Sequence, residues 1–343
     1  MFERELAATA AALVAPGKGI LAIDESSGTI KKRFDTISIE SNEENRRAYR
    51  DLLITGDGLA QSISGMILYD ETMRQAAKSG VAFPEAMKKA GILAGIKVDA
   101  GAKALAGVAG EQVTEGLDGL RERLVEYKKL GATFAKWRAV INIGKDLPTQ
   151  YCIDVNVHAL ARYAALCQEA GIVPIVEPEV IMDGSHTLER CFEVTENTLH
   201  ALFSEVYRQR VRAEHLILKA SMVISGKECP QQASVQQVAD ATVQCLKRTV
   251  PSAVPGIVFL SGGQSDELAT AHLNAMNAGG PRLPWPLSFS YGRALQAPAL
   301  KAWKGQPANV PAAQKALLHR AKLNSEACFG RYKAEMEKAA LAA

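Results

Sequence analysis

The sequence contains no C-x-x-C pair. Its six cysteines (Cys152, Cys167, Cys191, Cys229, Cys245 and Cys328) are widely spaced, which argues against a disulfide framework and for free thiols in a reducing compartment. No run of about 18 apolar residues is available to span a bilayer. The N-terminal stretch MFERELAATAAALV carries charge from its second residue pair onward, so it reads as an amphipathic helix and not as a signal peptide. A cytoplasmic location without a membrane partner is expected. Lysine and arginine number 40 against 37 carboxylates and are not clustered, so no nucleic-acid partner is expected. The histidines at 158, 186, 200, 215, 272 and 319 show neither H-x-H nor H-E-x-x-H spacing, and no metal or other cofactor is expected. G-x-G-x-x-G, G-x-x-x-x-G-K-[ST] and G-x-S-x-G are all missing, which removes the commonest nucleotide and serine-nucleophile signatures.

What is present is a regular alternation. Eight apolar, β-branched runs lie at 18–24, 64–70, 91–98, 133–140, 171–180, 215–221, 256–262 and 286–292. Longer helical patterns separate them. In 198–211, Leu199, Leu202, Phe203 and Val206 recur at i, i+3, i+4 and i+7, and 234–250 repeats the pattern with Val238, Thr242, Cys245 and Leu246. Runs that are continuously apolar imply strands buried on both faces, hence a parallel sheet between helices. Eight such units in 343 residues predict a (β/α)8 barrel. A doubly wound open sheet would want a glycine-rich dinucleotide turn, which is missing. A single domain over 1–343 is expected, with an extra N-terminal helix, a barrel core over about 18–303, and a C-terminal helix and tail over about 304–343. The proline-rich stretch 279–287 is expected to be a loop.

Barrel enzymes assemble their sites at the C-terminal ends of the strands. Those ends read Asp24, Asp70, Lys97, Lys136 with Arg138, Glu177 with Glu179, Lys219, Ser261, and Ser290 leading to Arg293. The pairs Lys136/Arg138 and Glu177/Glu179 are spaced i, i+2 and so point to one face of their strands. One mouth would therefore gather several lysines and several carboxylates. Lys219 closes the apolar run LIL, where an ammonium is costly unless something uses it. A lysine is nucleophilic only without its proton, against an ordinary pKa near 10.4. Burial and a neighbouring cation such as Lys136 both favour the free amine. Such an amine can attack a ketone to give an iminium, with Glu177 placed to shuttle protons. Taken alone, a structural ion pair with Glu177 or Glu179 accounts for Lys219 equally well; taken with the rest of the strand-end set, the nucleophile is the better account.

Two glycine turns, LSGGQSDE (260–267) and SYGRALQ (290–296), follow strands seven and eight, where barrels commonly hold phosphate; Arg293 supplies a charged donor. The cluster DESSGTIKKRF (24–34), with Ser26, Ser27, Thr29, Lys31, Lys32 and Arg33, joins Lys97 as a second candidate phosphate site.

The segments GKGILAIDESSGTIKKRF, GIKVD, FAKWR, PIVEPEV, LSGGQS and FSYGRALQ, in order over residues 2 to 333, together resemble class I fructose-bisphosphate aldolase. The resemblance implies reversible cleavage of fructose 1,6-bisphosphate to dihydroxyacetone phosphate and glyceraldehyde 3-phosphate, without a metal. Lys219 would be the Schiff-base lysine and Glu177 the acid/base for imine formation and hydrolysis. Asp24 and Lys136 would contact the sugar hydroxyls, with Asp24 deprotonating the C4 hydroxyl; Arg138 and Glu179 would support the charge network. Ser261, Gly262, Gly292 and Arg293 would hold the phosphate on the ketone half, and Ser26, Thr29 and Lys97 the distal one. A homotetramer is implied by the resemblance alone. Competing expectations are a Schiff-base aldolase of another phosphorylated ketose and a non-catalytic scaffold or actin-binding barrel; the intact strand-end set weighs against the latter. Three departures stand out. Ala220 and Ser221 replace the proline and asparagine of animal members, Thr29 replaces a serine, and no tyrosine follows Tyr332, where many members end in one that assists enamine protonation.

Overall fold

A computed structural model describes residues 2–279 and 283–340. The eight barrel strands are β1 (Gly19–Ile23), β2 (Ile63–Leu68), β3 (Leu93–Lys97), β4 (Phe134–Ile141), β5 (Val173–Val180), β6 (Ile217–Ala220), β7 (Ile257–Phe259) and β8 (Leu287–Tyr291). Each pairs in parallel with the next, and β1 pairs with β8 to close the sheet. The fold is the expected (β/α)8 TIM barrel. Every strand except β3 and β4 is buried throughout, and β4 departs only at Arg138, because helices cover the outside and side chains fill the inside. The two helices read from periodicity are Leu188–Arg208 and Val235–Thr249, and they bury the expected faces. Ser234 and Gln237 form a capping box at the start of the second.

The interior is layered. Val173, Ile175, Ile217, Val258, Ile20, Ile67 and Phe134 form an apolar cluster with Leu6, Ala10 and Leu13 of the N-terminal helix Glu3–Leu13, which closes the N-terminal end of the barrel. Phe134 needs a glycine opposite: a Cβ on Gly95 would lie 2.2 Å from its ring. The inward set of β4 continues Phe134, Lys136, Arg138, and that of β5 continues Val173, Ile175, Glu177, Glu179. The barrel thus changes from apolar floor to ionisable roof within one strand, by alternation alone.

One element went unpredicted, an antiparallel hairpin of Gly101–Ala104 and Gln112–Glu115 between β3 and β4. Its strands are four residues long and rich in glycine, lysine and polar groups, so no apolar run marked it. The helix Val310–Cys328 and the turns over Ala334–Ala340 follow the barrel. The loop expected at 279–287 falls partly on 280–282, and the tail partly on 341–343, outside the described residues. Among the described residues no helix is long and apolar enough to cross a membrane.

Candidate active site

The roof of the barrel opens into a cavity of about 590 Å³, and all thirteen residues to which the family resemblance gives a role line it. At its centre Lys136 and Lys219 share Glu177. Lys219 Nζ lies 3.0 Å from Glu177 Oε1, and Lys136 Nζ lies 3.5 Å from Glu177 Oε2, 2.7 Å from Asp24 Oδ2 and 4.0 Å from Asp99 Oδ2. Both lysines and Glu177 are buried. Burial works against charge on Asp24, but Lys136, Lys219 and Lys97 outweigh it and hold the carboxyl well below the carboxylate range. Burial likewise opposes charge on Lys136, and Asp24, Glu177 and Asp99 overcome it, so this ammonium keeps its proton far above the ordinary lysine range. One lysine is therefore locked as a cation. The other, Lys219, lies beside it in the same cavity and contacts Glu177.

At the outer rim Arg138 pairs with Glu179. Ser26 caps the helix Ser27–Asp35 without its side chain bonding the helix backbone, and its Oγ hydrogen-bonds Thr29 Oγ1 at 3.2 Å. Ser26 and Thr29 at that helix start both line the cavity, and helix starts suit anions. Lys97 reaches the same cavity but is committed to Asp99, 2.6 Å from Oδ1. Lys32 also lines the cavity and, among the described residues, has no carboxylate partner. On the opposite side, Ser261, Gly262, Gly292 and Arg293 line the wall, Arg293 likewise without a carboxylate. Ser290 Oγ is buried here with no partner among the described residues. Each glycine-or-serine helix start thus has one uncommitted cation beside it.

The strand-end set needs one correction. Asp70 does not line the cavity: β2 ends at Leu68, and Asp70 opens a short helix where it pairs with Arg74 and accepts from Tyr127. Lys31 of the basic cluster turns outward to Asp35. Asp99 and Glu25 were not foreseen. Asp99 lies beyond the end of β3 and holds both Lys97 and, at longer range, Lys136. Glu25 is buried and gathers Arg33, Arg50 and the Gln296 amide. Only its place beside Asp24 could have marked it. Ser221 donates to the Val180 carbonyl at 2.9 Å, tying the end of β6 to β5, so the departure beside Lys219 has a structural use. Tyr332 donates to Glu337, which Arg320 also grips, and it does not line the cavity. Among the described residues no three His, Cys, Asp or Glu side chains converge as metal ligands.

The turn after β7 is propped from behind. His272 Nδ1 lies 2.6 Å from Gln264 Oε1, and Gln264 Nε2 lies 3.5 Å from Met222 Sδ. His272 is buried, which pushes its imidazole down to about 4. The unfolded chain takes that proton near pH 6.5, so the contribution is complete above 6.5 and is lost as pH falls toward 4, by up to about 3 kcal/mol. His272→Asn is expected to flatten this part of the stability profile. Chemical denaturation of both proteins from pH 8 to 4.5 checks it, and parallel curves would refute it.

Comparison with known proteins gives a consistent picture. The family profile described as "Fructose-bisphosphate aldolase class-I" matches residues 5–343. A probable fructose-bisphosphate aldolase class 1 of Xanthomonas axonopodis pv. citri is 64% identical over 330 residues, 96% of this chain and 98% of that one. The fructose-bisphosphate aldolase of Dictyostelium discoideum is 54% identical, covering 97% and 94%. Fructose-bisphosphate aldolase 4, cytosolic, of Arabidopsis thaliana is 53% identical, covering 97% and 85%. A crystal structure of the Plasmodium falciparum fructose-bisphosphate aldolase, in complex with TRAP and a small-molecule inhibitor, superposes with a TM-score of 0.95 at 50% identity over 96% of both chains.

Proposed function

The chain belongs to the class I fructose-bisphosphate aldolase family, and we propose that it cleaves fructose 1,6-bisphosphate reversibly to dihydroxyacetone phosphate and glyceraldehyde 3-phosphate through an imine on Lys219. The observation that carries this is the charge of the cavity. Seven cationic side chains and four carboxylates line it, and two phosphates bring about −3 to −4 at neutral pH.

Lys219 attacks the ketone carbon, and Glu177 moves the protons by which the carbinolamine loses water to leave an iminium. The C3–C4 electron pair then flows to nitrogen to give an enamine. C4 becomes the aldehyde carbon of glyceraldehyde 3-phosphate, and Asp24 takes the C4 hydroxyl proton. Protonated Lys136 holds Asp24 and stabilises negative charge at the C4 oxygen. Arg138 and Glu179 steady the rim. Ser261, Gly262, Gly292 and Arg293 take the ketone-side phosphate. Ser26, Thr29 and Lys97 take the distal one, and Lys32 supplies the free charge there. Water or another side chain protonates the enamine, because Tyr332 is tied to Glu337. The whole chain acts as one unit. A homotetramer rests on the family likeness, and a cytoplasmic location on the cytosolic plant relative.

Incubation with fructose 1,6-bisphosphate should release the two triose phosphates with chelator present, and borohydride with dihydroxyacetone phosphate should inactivate the enzyme. Activity on a different phosphorylated ketose alone would replace this substrate assignment.

A further inference from the structure

The loop that follows β6 carries a cation outside the strand-end set. Lys227 is fixed by its backbone: its N–H donates to the Met182 carbonyl at 2.9 Å, and its neighbours Gly226 and Glu228 donate to His186 and Gly184 at 2.8 and 2.9 Å. The two loops touch at Gly226, where a Cβ would lie 2.2 Å from the Gly184 carbonyl oxygen, so only glycine fits. Lys227 then reaches toward the glycine turn after β7. Gly263 has φ +95°, and the point where its Cβ would stand lies 2.9 Å from Lys227 Nζ and 3.0 Å from Arg293 Nη2. An ammonium from one loop and a guanidinium from the helix after β8 converge there on the turn adjoining Ser261 and Gly262.

Like charges brought this close repel unless an anion lies between or beside them. Asp183 sits on Lys227, 2.6 Å from its Nζ, and both side chains are exposed. Arg293 has no carboxylate among the described residues. One carboxylate thus serves two cations, and the pair is left one negative charge short at a turn whose N–H groups suit an anion.

We propose that Lys227 is a further binding contact for the ketone-side phosphate, exchanging Asp183 for a phosphate oxygen when substrate enters. This rests on the assignment of the Ser261–Gly263 turn to that phosphate. Lys227 touches none of the reacting carbons, so its effect falls on binding. Because the contact is to the ketone-side phosphate, it acts equally on substrates that lack the distal one.

Steady-state kinetics of Lys227→Met on fructose 1,6-bisphosphate and fructose 1-phosphate are expected to show KM raised about 5- to 10-fold for both, with kcat within twofold. The inhibition constant of inorganic phosphate should rise in parallel, and Lys227→Arg should recover most of the loss. Asp183→Asn separates a phosphate contact from a structural ion pair: the contact predicts KM unchanged or lowered, the structural pair a KM raised as in Lys227→Met. The latter result, or an unchanged KM in Lys227→Met, overturns the proposal. If wild-type protein cleaves neither ketose, the substrate assignment fails instead. Calorimetry of inorganic phosphate on wild type and Lys227→Met then decides on Lys227 independently, equal affinities refuting it.

Discussion

Lys219→Met is expected to lower cleavage of fructose 1,6-bisphosphate by about 10⁴-fold or more, which corresponds to about 5.4 kcal/mol of lost transition-state stabilisation. No other group in the cavity can take its place. Among the described residues Lys136 is the only comparable amine at the centre, and three carboxylates keep it protonated against the cost of burial. Lys97 is held by Asp99. Without a covalent electron sink the C3–C4 bond has nowhere to send its electrons, so residual binding alone cannot rescue the rate. Lys219→Arg gives the same loss while keeping the positive charge beside Glu177, which separates nucleophilicity from the ion pair. The methionine variant should still fold, since Glu177 retains Lys136 at 3.5 Å as a counter-charge instead of standing as an isolated buried charge. Borohydride reduction with dihydroxyacetone phosphate, followed by peptide mass spectrometry, should place the adduct on Lys219 in wild type and show none in either variant. An adduct on another lysine, or activity within tenfold of wild type, would sink the mechanism.

The ionisable roof of the barrel could be read from the sequence because it obeys the simplest rule available, the two-residue period of a strand. Once Val173 and Ile175 face the barrel axis, Glu177 and Glu179 must face it too, and the same count carries Phe134 to Lys136 and Arg138. That count fails where the strand stops. Asp70 stands two residues past Leu68, and the backbone has already turned into a helix, so the side chain leaves the mouth. Asp99, two residues past Lys97, comes back to the site. Which way such a residue turns is decided by tertiary hydrogen bonds, here by the Gly101 and Arg138 N–H groups donating to the two Asp99 oxygens. Glu25 is a similar case, since its partner Arg50 lies in a helix 25 residues away. Lys31 and Lys32 are neighbours in sequence, yet one turns to Asp35 and the other to the cavity. That split follows from helical geometry and could have been foreseen by asking which face of Ser27–Asp35 is buried. Lys227 gave no signal of its own, because its approach to Gly263 depends on two loops that meet only in the folded chain.

Asp24→Asn is expected to cut kcat for cleavage by about 10³-fold, within the range of a lost general base, while leaving the borohydride-trapped adduct with dihydroxyacetone phosphate intact. The two readouts separate bond cleavage from imine formation, because that ketone has no C4 hydroxyl to deprotonate. Loss of trapping as well would move Asp24 into imine formation, and a kcat within tenfold of wild type would pass the C4 proton to Glu177. A carboxyl held so far below its ordinary range by Lys136, Lys219 and Lys97 looks like a poor base for an alcohol. The chemistry removes the difficulty. As the C3–C4 electrons leave toward the iminium, the C4 hydroxyl acquires the character of a protonated aldehyde, which is a strong acid, so even a weak carboxylate base accepts its proton. The same depressed affinity then returns that proton to water once the aldehyde has left, resetting Asp24 for the next turnover. It follows that the acid limb of the wild-type pH–kcat profile does not report Asp24, which stays ionised far below pH 4, and that Asp24→Asn should lower the whole profile without moving that limb. A limb displaced by this substitution would show that Asp24 titrates during turnover.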